Sequence, residues 1–422
     1  MLTTLRNAWK IPDLKKRVLY TLLMLVVFRV GSSIPVPGID ISIIKKVVDQ
    51  AGLLSFYDMF AGGAFSNFTI FALSITPYIT ASIVIQLLTI AIPSLEELSK
   101  SGEDGRKKIT SYTRFVTIAL ALLQSTAISV GLFSNALISK DAFSVIVVVS
   151  TLTAGTAFLM WLGEQITEKG IGNGISLIIF VGIISRLPGA VINTYRLLRE
   201  GQLNVIQLIV FAIIGIAIIV SVIAITQATR KISVQYAKRV VGRKMYGGQS
   251  THIPMKVNQA GVIPVIFASS MLVFPQTLSF FFKGGYENFV NKWLSPSGNP
   301  GFWIYITLEA ILIIFFAYFY TAITFNTSEI ADSMKNNGGF IPGIRPGKPT
   351  EDYLNRVLTR LTLAGALFLA LIAVLPMLVF RFTTIPFSLG GTALLIVVGV
   401  ALETMKQIEA KMLTRHYQGF LK

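Results

Sequence analysis

Long uncharged stretches alternate with short charged segments along nearly the whole chain. Ten apolar segments can be placed, each close to the roughly 20 residues that a helix needs to cross a bilayer. An even number of spans puts both termini on the same side of the membrane. The pattern therefore predicts an all-α polytopic membrane protein with spans at residues 18–34, 68–92, 115–137, 143–162, 175–192, 205–226, 260–282, 302–325, 358–380 and 387–405.

The second segment belongs to a longer run of 37 uncharged residues, 59–95. At about 20 residues per span, this run is too long for one span and too short for two spans with a turn. Gly62 and Gly63 supply a break. We therefore expect a half-helix over residues 55–64, followed by one full span. Irregular backbone is tolerated at membrane depth only inside protein or beside a cavity, so the half-helix is predicted to block a cavity.

The outer loop near residues 194–204 separates five spans from five, which predicts an N-terminal half, 1–195, and a C-terminal half, 196–422. Because five is odd, the second half enters the membrane inverted relative to the first. In inverted-repeat proteins the working site lies between the halves, and interrupted segments point to it. Pro77 and Pro264 fall in the second segment of each half. The site is therefore predicted between these two helices.

Charge gives the orientation. The chain has 37 lysines and arginines against 20 acidic residues, a net charge of +17. Counted over the loops, 27 of the 37 fall on the side of the termini, which predicts cytoplasmic termini by the positive-inside rule.

Two large cytoplasmic loops are expected at 228–258 and 326–355. The first has seven basic residues and no acidic one. Such a surface favours anionic lipids, acidic proteins or RNA as partners.

The first of these loops has a strand-like pattern. Ile232, Val234 and Tyr236 alternate with polar residues, which predicts a hairpin with its turn near Gly242. In the second loop, Arg345 stands alone between glycine- and proline-rich turns and is a candidate for a fixed contact.

Little in the sequence indicates catalysis. Cysteine is absent and only His252 and His416 are present, which excludes thiolate sites and histidine clusters. Arg29, Glu309 and Glu403 lie within or near spans, where we expect them to anchor at the interface or snorkel. No catalytic constellation, metal site or cofactor motif is found, so the chain is not expected to be an enzyme.

One helix face suggests a gate. Ile75, Ile79 and Ile83 recur every four residues on the second span and therefore share a face. Ordinary packing against lipid or core is the alternative interpretation. However, Thr80 and Gln86 are unusual on a lipid-facing helix and suit a wet or re-openable seam. Branched apolar groups in a wet cavity would form a constriction that gates by dewetting.

In addition, nine strings spread over nearly the whole chain together resemble the SecY/Sec61-alpha family of protein-conducting channels. They are FRVGSSIPVPGID (28–40), MFAGGAFSNFTIFALSITPYITASIVIQLL (59–88), GRKKITSYTR (105–114), FLMWLGEQITEKGIGNGISLIIF (158–180), YAKR (236–239), QSTHIPMKVNQAGVIPVIFASS (249–270), FIPGIRPG (340–347), RLTLAGAL (360–367) and GGTALLIVV (390–398). The departures are a short outer hairpin near residues 134–141 and a brief C-terminal tail.

The resemblance implies two inverted five-helix halves around an hourglass pore in the bacterial plasma membrane. It implies a pore ring of Ile75, Ile79, Ile179, Ile266 and Ile396. A short plug at residues 55–65 would close the outer funnel with Phe56, Tyr57, Met59, Phe60, Gly62, Gly63 and Phe65. A lateral gate between the second and seventh helices would include Thr80, Gln86 and Phe274.

The same resemblance implies partners. Arg243, Lys244 and Arg345 would dock the ribosome and the SecA motor ATPase. SecE would brace the back of the channel, and SecG would be a further small subunit. The substrates would be secretory chains that cross the membrane and membrane segments that leave sideways into lipid. Two other interpretations remain: an ion-coupled solute transporter, which predicts a buried charged site, and a docking platform without a pore, which leaves the half-helix unexplained.

Overall fold

The structure is a computed structural model that describes residues 9–50, 58, 61–133, 136–139, 141–201, 205–236, 239–241, 244–246, 250–279, 284–295, 298, 300–382 and 391–419. A helix coincides with each of the ten predicted spans. The helices are α1 (Pro12–Gly31), α2 (Ile41–Gln50), α3 (Thr76–Ala91), α4 (Pro93–Lys100), α5 (Glu103–Thr126) with a π-helical end (Ala127–Leu132), α6 (Ala142–Lys169), α7 (Gly174–Ser185), α8 (Leu187–Arg199), α9 (Val205–Gln227), α10 (Ile263–Ser279), α11 (Gly285–Trp293), α12 (Gly301–Thr324), α13 (Thr327–Asn336), α14 (Lys348–Phe382) and α15 (Gly391–Gly419).

Six stretches of the described chain combine the length and apolar composition of a membrane span; they contain α5, α6, α7 with α8, α9, α12 and α14. The pair α3 and α4, bent by 102° at its break, gives a seventh if it is counted as one span. Helices α1, α10 and α15 occupy the other three predicted spans. The fold is therefore that of a multi-span helical membrane protein, as predicted.

The start of the second span differs from the prediction. Its helix begins at Thr76 rather than near Phe68, and Pro77 lies in its first turn. Pro264 is likewise the second residue of α10. Proline suits the first turn of a helix because its missing N–H would have no intrahelical partner there. The two prolines therefore begin their helices instead of interrupting them, and the proline inside α10 is Pro275.

Irregular backbone fills the space where helix was expected. The chain from Gly62 to Ile75 runs in turns, and it is held by backbone hydrogen bonds from Val36 to the Phe68 carbonyl (2.9 Å) and from Ile70 to the Ile34 carbonyl (3.0 Å). These bonds satisfy polar groups that lipid could not satisfy. The segment lies inside the protein, as predicted for irregular structure at membrane depth.

A shared hydrophobic core joins the spans around this segment. Phe71 stacks between Phe28 and Phe158, with ring centroids 6.0 Å apart on each side. Gly155 of α6 lets the segment approach closely, since a Cβ there would lie 1.9 Å from the Ile70 carbonyl oxygen. The turns are thus pressed directly against the flanking helices.

The two loops predicted to be cytoplasmic form a small β-structure. Its strands are β1 (Thr229–Tyr236), β2 (Arg239–Val241), β3 (Lys244–Tyr246), β4 (Ser250–Lys256) and β5 (Gly339–Phe340). Strand β1 pairs antiparallel with β4 on one edge and with β5 on the other. Val241 pairs with Lys244, which confirms the hairpin, while Gly242 itself lies outside the described residues. Because β5 comes from the second loop, the two loops are one unit.

This unit, which we term the platform, has its own core. Ile232 and Val234, the inward residues of β1, are buried as the alternation predicted. The second loop and the first turns of α14 complete the cluster, which is Ile232, Val234, Met255, Met334, Ile341, Leu354 and Leu358. Burial of these side chains makes the platform a packed structure rather than two free loops.

Glu309 does not anchor at an interface, contrary to the expectation. It is fully buried on α12, and neither carboxylate oxygen has a hydrogen-bond partner in the described part of the chain. Its position eight residues after Gly301 places it inside the packed helices, beyond the reach of the helix end.

Candidate channel site

The predicted seam exists as a contact between α3 and α10. A cavity of about 20 Å³ lies at this contact. Four of the five predicted ring residues, Ile75, Ile79, Ile179 and Ile266, line it. Ile79 lies on α3, Ile179 on α7 and Ile266 on α10. Ile75 lies in the turn just before α3. The other lining residues are Ser74, Thr76, Ser269, Ser270 and Val273.

The cavity is small and its isoleucines are closely packed. Each of the four is at most 8% exposed. A volume of about 20 Å³ has room for about one water molecule, which would need two to four polar partners to stay. Five of the nine lining residues are apolar, and the other four carry hydroxyl groups. The arrangement is thus a closed, narrow constriction between helices of both predicted halves.

Ile396, the fifth predicted ring residue, lies in the core around the cavity and not in its lining. It is fully buried on α15 and belongs to the same hydrophobic core as the other four isoleucines, but it does not line the cavity. The structure thus brings together four of the five predicted residues and packs the fifth in the surrounding core.

The backbone immediately before α3 is strained. Ser74 has a φ of +54°, which is uncommon for a residue other than glycine, and Ile75 is the N-cap of α3. Strained backbone persists where the surroundings over-determine it, and it clusters at functional sites. Here the turn at Ser74 delivers Ile75 into the constriction. No sequence signal marked Ser74, because serine has no special preference for this conformation.

The cavity wall is not uniformly apolar. Ser269 and Ser270 of α10 are buried against it, and the Ser269 hydroxyl has no hydrogen-bond partner among the described residues. An unpaired buried hydroxyl loses about 1–3 kcal/mol relative to a satisfied one. Water entering a widened seam would recover that cost, so the α10 side favours opening while the isoleucines favour closure.

The three predicted gate residues are half-buried on the two seam helices, outside the cavity lining. On α3, the Thr80 hydroxyl donates to the Thr76 carbonyl (3.1 Å), and the Gln86 amide donates to the Ser82 hydroxyl (3.2 Å). Phe274 lies on α10. The polar groups of α3 therefore satisfy each other within the helix, which lets the helix face either protein or water.

Part of the predicted plug is described. Phe56, Tyr57, Met59 and Phe60 lie outside the described residues. Asp58 and Ala61 are helical, and Gly62 and Gly63 have φ of +65° and +87°, which confirms the predicted break. Phe65 is 1% exposed and lies against Phe133, with ring centroids 5.8 Å apart.

Three charged residues hold this segment. The Asp58 carboxylate is fully buried, and its Oδ2 lies 3.0 Å from Nη2 of Arg186. The Arg29 guanidinium donates to the Gly62 carbonyl (3.4 Å) and to the Ser185 hydroxyl (3.2 Å). Arg29 therefore binds protein groups and does not simply snorkel to the interface.

Sequence reasoning missed these contacts, although Asp58 gave a signal. It is the last charge before the long uncharged run and lies within the predicted half-helix. A lone carboxylate there needs a cationic partner, which could have been sought at the outer ends of neighbouring spans.

The predicted docking residues lie on the platform. Arg243 is outside the described residues, and Lys244 is the first residue of β3. Arg345 is exposed and lies just before α14. Its carbonyl accepts a hydrogen bond from the hydroxyl of Thr350 (2.8 Å), in the first turn of that helix. Its backbone is thus fixed while its side chain faces outward.

A many-helix bundle with a closed constriction between helices and an irregular segment buried beside it has the architecture of a gated membrane channel. The sequence model of the SecY family matches residues 69–405. The chain is 50% identical over 433 residues to the protein translocase subunit SecY of Halalkalibacterium halodurans, covering 100% of both chains. It is 46% identical over 421 residues to that of Escherichia coli K12, covering 97% of this chain and 94% of the relative. The chain belongs to the SecY family.

Solved structures agree on the fold. A SecY protein whose plug domain stabilises the closed state of the translocation channel superposes with a TM-score of 0.70 at 21% identity, covering 94% of this chain and 92% of that one. Sec61 in the canine ribosome-channel complex gives a TM-score of 0.66 at 19% identity, with the same coverage. Membership of a translocase family decides against the ion-coupled transporter.

Proposed function

We propose that this chain is the channel-forming subunit of a protein translocase in a bacterial plasma membrane. It passes unfolded secretory chains across the membrane and releases membrane segments sideways between α3 and α10. Its own spans carry out no chemical step, so the energy comes from a partner. The transfer free energies suit this role. Apolar residues gain about 0.3–0.6 kcal/mol each at the bilayer centre, so a 20-residue segment gains on the order of 6–12 kcal/mol on entering lipid.

The observation that carries the proposal is the convergence of Ile75, Ile79, Ile179 and Ile266 on one cavity. Apolar contact is non-directional, so such a ring can surround a moving chain without recognising its sequence. A dry ring also excludes water and ions when no chain is present. Ile396, packed in the surrounding core, is proposed to join the ring when the helices rearrange.

The partners and the topology are part of the proposal. The sign of the platform's charge supports docking of the ribosome and of SecA through Arg243, Lys244 and Arg345, and binding of anionic lipids at the membrane surface. A ribosome complex of a structural relative agrees with this. SecE and SecG are proposed as the companion subunits. Both termini are cytoplasmic, and residues 1–195 and 196–422 form the two halves.

Site-directed crosslinking tests the pore axis directly. The natural chain has no cysteine, so a single introduced cysteine is the only thiol in it. A cysteine in the middle of a stalled secretory chain should crosslink to Ile79→Cys and Ile266→Cys. It should not crosslink to Ile146→Cys or Ile311→Cys, which are 63% and 56% exposed on the outer faces of α6 and α12. Crosslinks confined to the outer positions would overturn the pore assignment.

Charge reversal tests docking. The double variant Arg243→Glu with Lys244→Glu, or Arg345→Glu alone, should weaken SecA and ribosome binding by roughly tenfold at physiological salt, because attraction becomes repulsion. Membrane insertion should be unchanged. Arg196→Glu with Arg199→Glu is the matched control, since these exposed arginines end α8 on the predicted outer side. Equal affinities for the wild type and the platform variants would contradict the docking assignment.

A further inference from the structure

The Asp58 carboxylate is fully buried, although it lies in the segment that must move if the plug opens. Removing an ion from water costs several kcal/mol unless the ion is paired and hydrogen-bonded. We propose that Asp58 and Arg186, assisted by Arg29, form a latch that positions the plug segment in the closed channel. This inference rests on the proposed function, because it concerns the gating of the same pore.

One carboxylate oxygen organises the plug segment itself. Oδ1 of Asp58 accepts hydrogen bonds from the backbone N–H groups of Phe65 (3.0 Å) and Ser66 (2.9 Å). The Asp58 carbonyl also accepts one from Gly63 (3.1 Å). The carboxylate thereby ties Asp58 to the turn at residues 63–66.

The other oxygen ties the plug segment to a span. Oδ2 lies 3.0 Å from Nη2 of Arg186, which caps the C-terminal end of α7. The Arg186 side chain is only 26% exposed, so solvent screens the pair weakly. Arg186 is also the N-cap of α8, so the junction of the two helices fixes its backbone. Arg186 is therefore held in place for the carboxylate by α7.

A second anchor lies one turn away. The Gly62 carbonyl accepts hydrogen bonds from the Ser185 hydroxyl (3.3 Å) and from Arg29 (3.4 Å). Gly62 also touches Gly182 of α7 so closely that a Cβ would lie 2.7 Å from the Gly182 Cα. The plug segment is thus seated on the last turn of α7 by charge, hydrogen bonds and backbone contact together.

All of these anchors belong to the first five spans: Arg29 is on α1, and Gly182, Ser185 and Arg186 belong to the end of α7. Separating α3 from α10 therefore leaves the latch intact. Opening is divided into two steps, parting of the seam and release of Asp58 from Arg186. The ion pair sets the second equilibrium independently of the first, and it makes Asp58 and Arg186 positioning residues for translocation.

The test uses the translocase complex, purified with its companion subunits, in planar bilayers. Asp58→Asn keeps an acceptor for the Phe65 and Ser66 N–H groups but loses the charge, and Arg186→Gln removes the cation. Each should raise the resting conductance about twofold, less than replacement of the whole plug, because the loss of one partner destabilises the closed position of the segment. The double variant should leak no more than either single variant, because both remove the same interaction. Additive leaks, or none, would overturn the latch.

Two further measurements separate the latch from the plug and from misfolding. In a channel lacking residues 56–65, Arg186→Gln should add no conductance, because nothing remains to be latched. If that deletion alone leaves conductance unchanged, the plug assignment fails. If the deletion raises conductance but Arg186→Gln in the intact chain does not, the latch alone fails. Arg199→Gln, at an exposed arginine on the neighbouring helix α8, is the matched control and should behave as the wild type.

Discussion

Replacing both Ile79 and Ile266 by asparagine is expected to make the resting channel conduct water and small ions. The two isoleucines face one cavity of about 20 Å³ from opposite sides of the seam. Asparagine has the same number of side-chain heavy atoms as isoleucine but offers hydrogen bonds, each contributing about 1 kcal/mol to holding a pore water. Two such groups would make a hydrated waist about 30-fold more probable. Conductance of the purified complex in planar bilayers measures this.

The matched control places the same chemistry outside the pore. Ile146→Asn with Ile311→Asn changes two isoleucines that are 63% and 56% exposed on α6 and α12. This double variant should leave the resting conductance at the wild-type level. If it leaks as much as the waist variant, loosened helix packing is the cause and the four isoleucines are ordinary core residues.

The second large effect is expected from the plug segment. Replacing residues 56–65 by a glycine-serine linker of equal length should raise ion conductance several-fold while the protein still folds and inserts. The described part of the segment is held by side-chain contacts, such as Phe65 against Phe133 and Asp58 with Arg186. Among the described residues, no span depends on it for a helical hydrogen bond. An unchanged conductance in a folded, inserted variant would refute the assignment of this segment as an obstruction.

The spans, the glycine break and the platform hairpin were predictable because each is encoded locally. A lipid-facing stretch of about 20 apolar residues must satisfy its own backbone polar groups, and a helix does so within the segment. Gly62 and Gly63 adopt positive φ without cost, and the alternation of Ile232 and Val234 directly gives the buried face of β1. The predicted ring also rested partly on local spacing, since Ile75 and Ile79 share one face of α3.

The start of α3 was mispredicted because apolar composition does not distinguish a helix from buried turns. Residues 68–75 are as apolar as a span, yet their backbone pairs with the chain near Ile34. The contacts of Arg29 and Asp58 could not be predicted from spacing. Their partners Ser185 and Arg186 lie more than 100 positions away, and only the packing of α1 and α7 brings them together. Glu309 was wrongly predicted to anchor at the interface, because the position of a residue along a helix does not reveal which side chains surround it.

The common core of the platform has a mechanical consequence. Strand β1 follows directly from the end of α9, β4 leads into α10, and Leu354 and Leu358 join the platform to α14. An eight-residue strand is about 26 Å long, so a partner gripping the hairpin tip acts through a lever of that length. Because the strands share one core, a force on the platform acts on the ends of α9, α10 and α14 together. Since α10 forms one side of the seam, a force on the platform also acts on the seam.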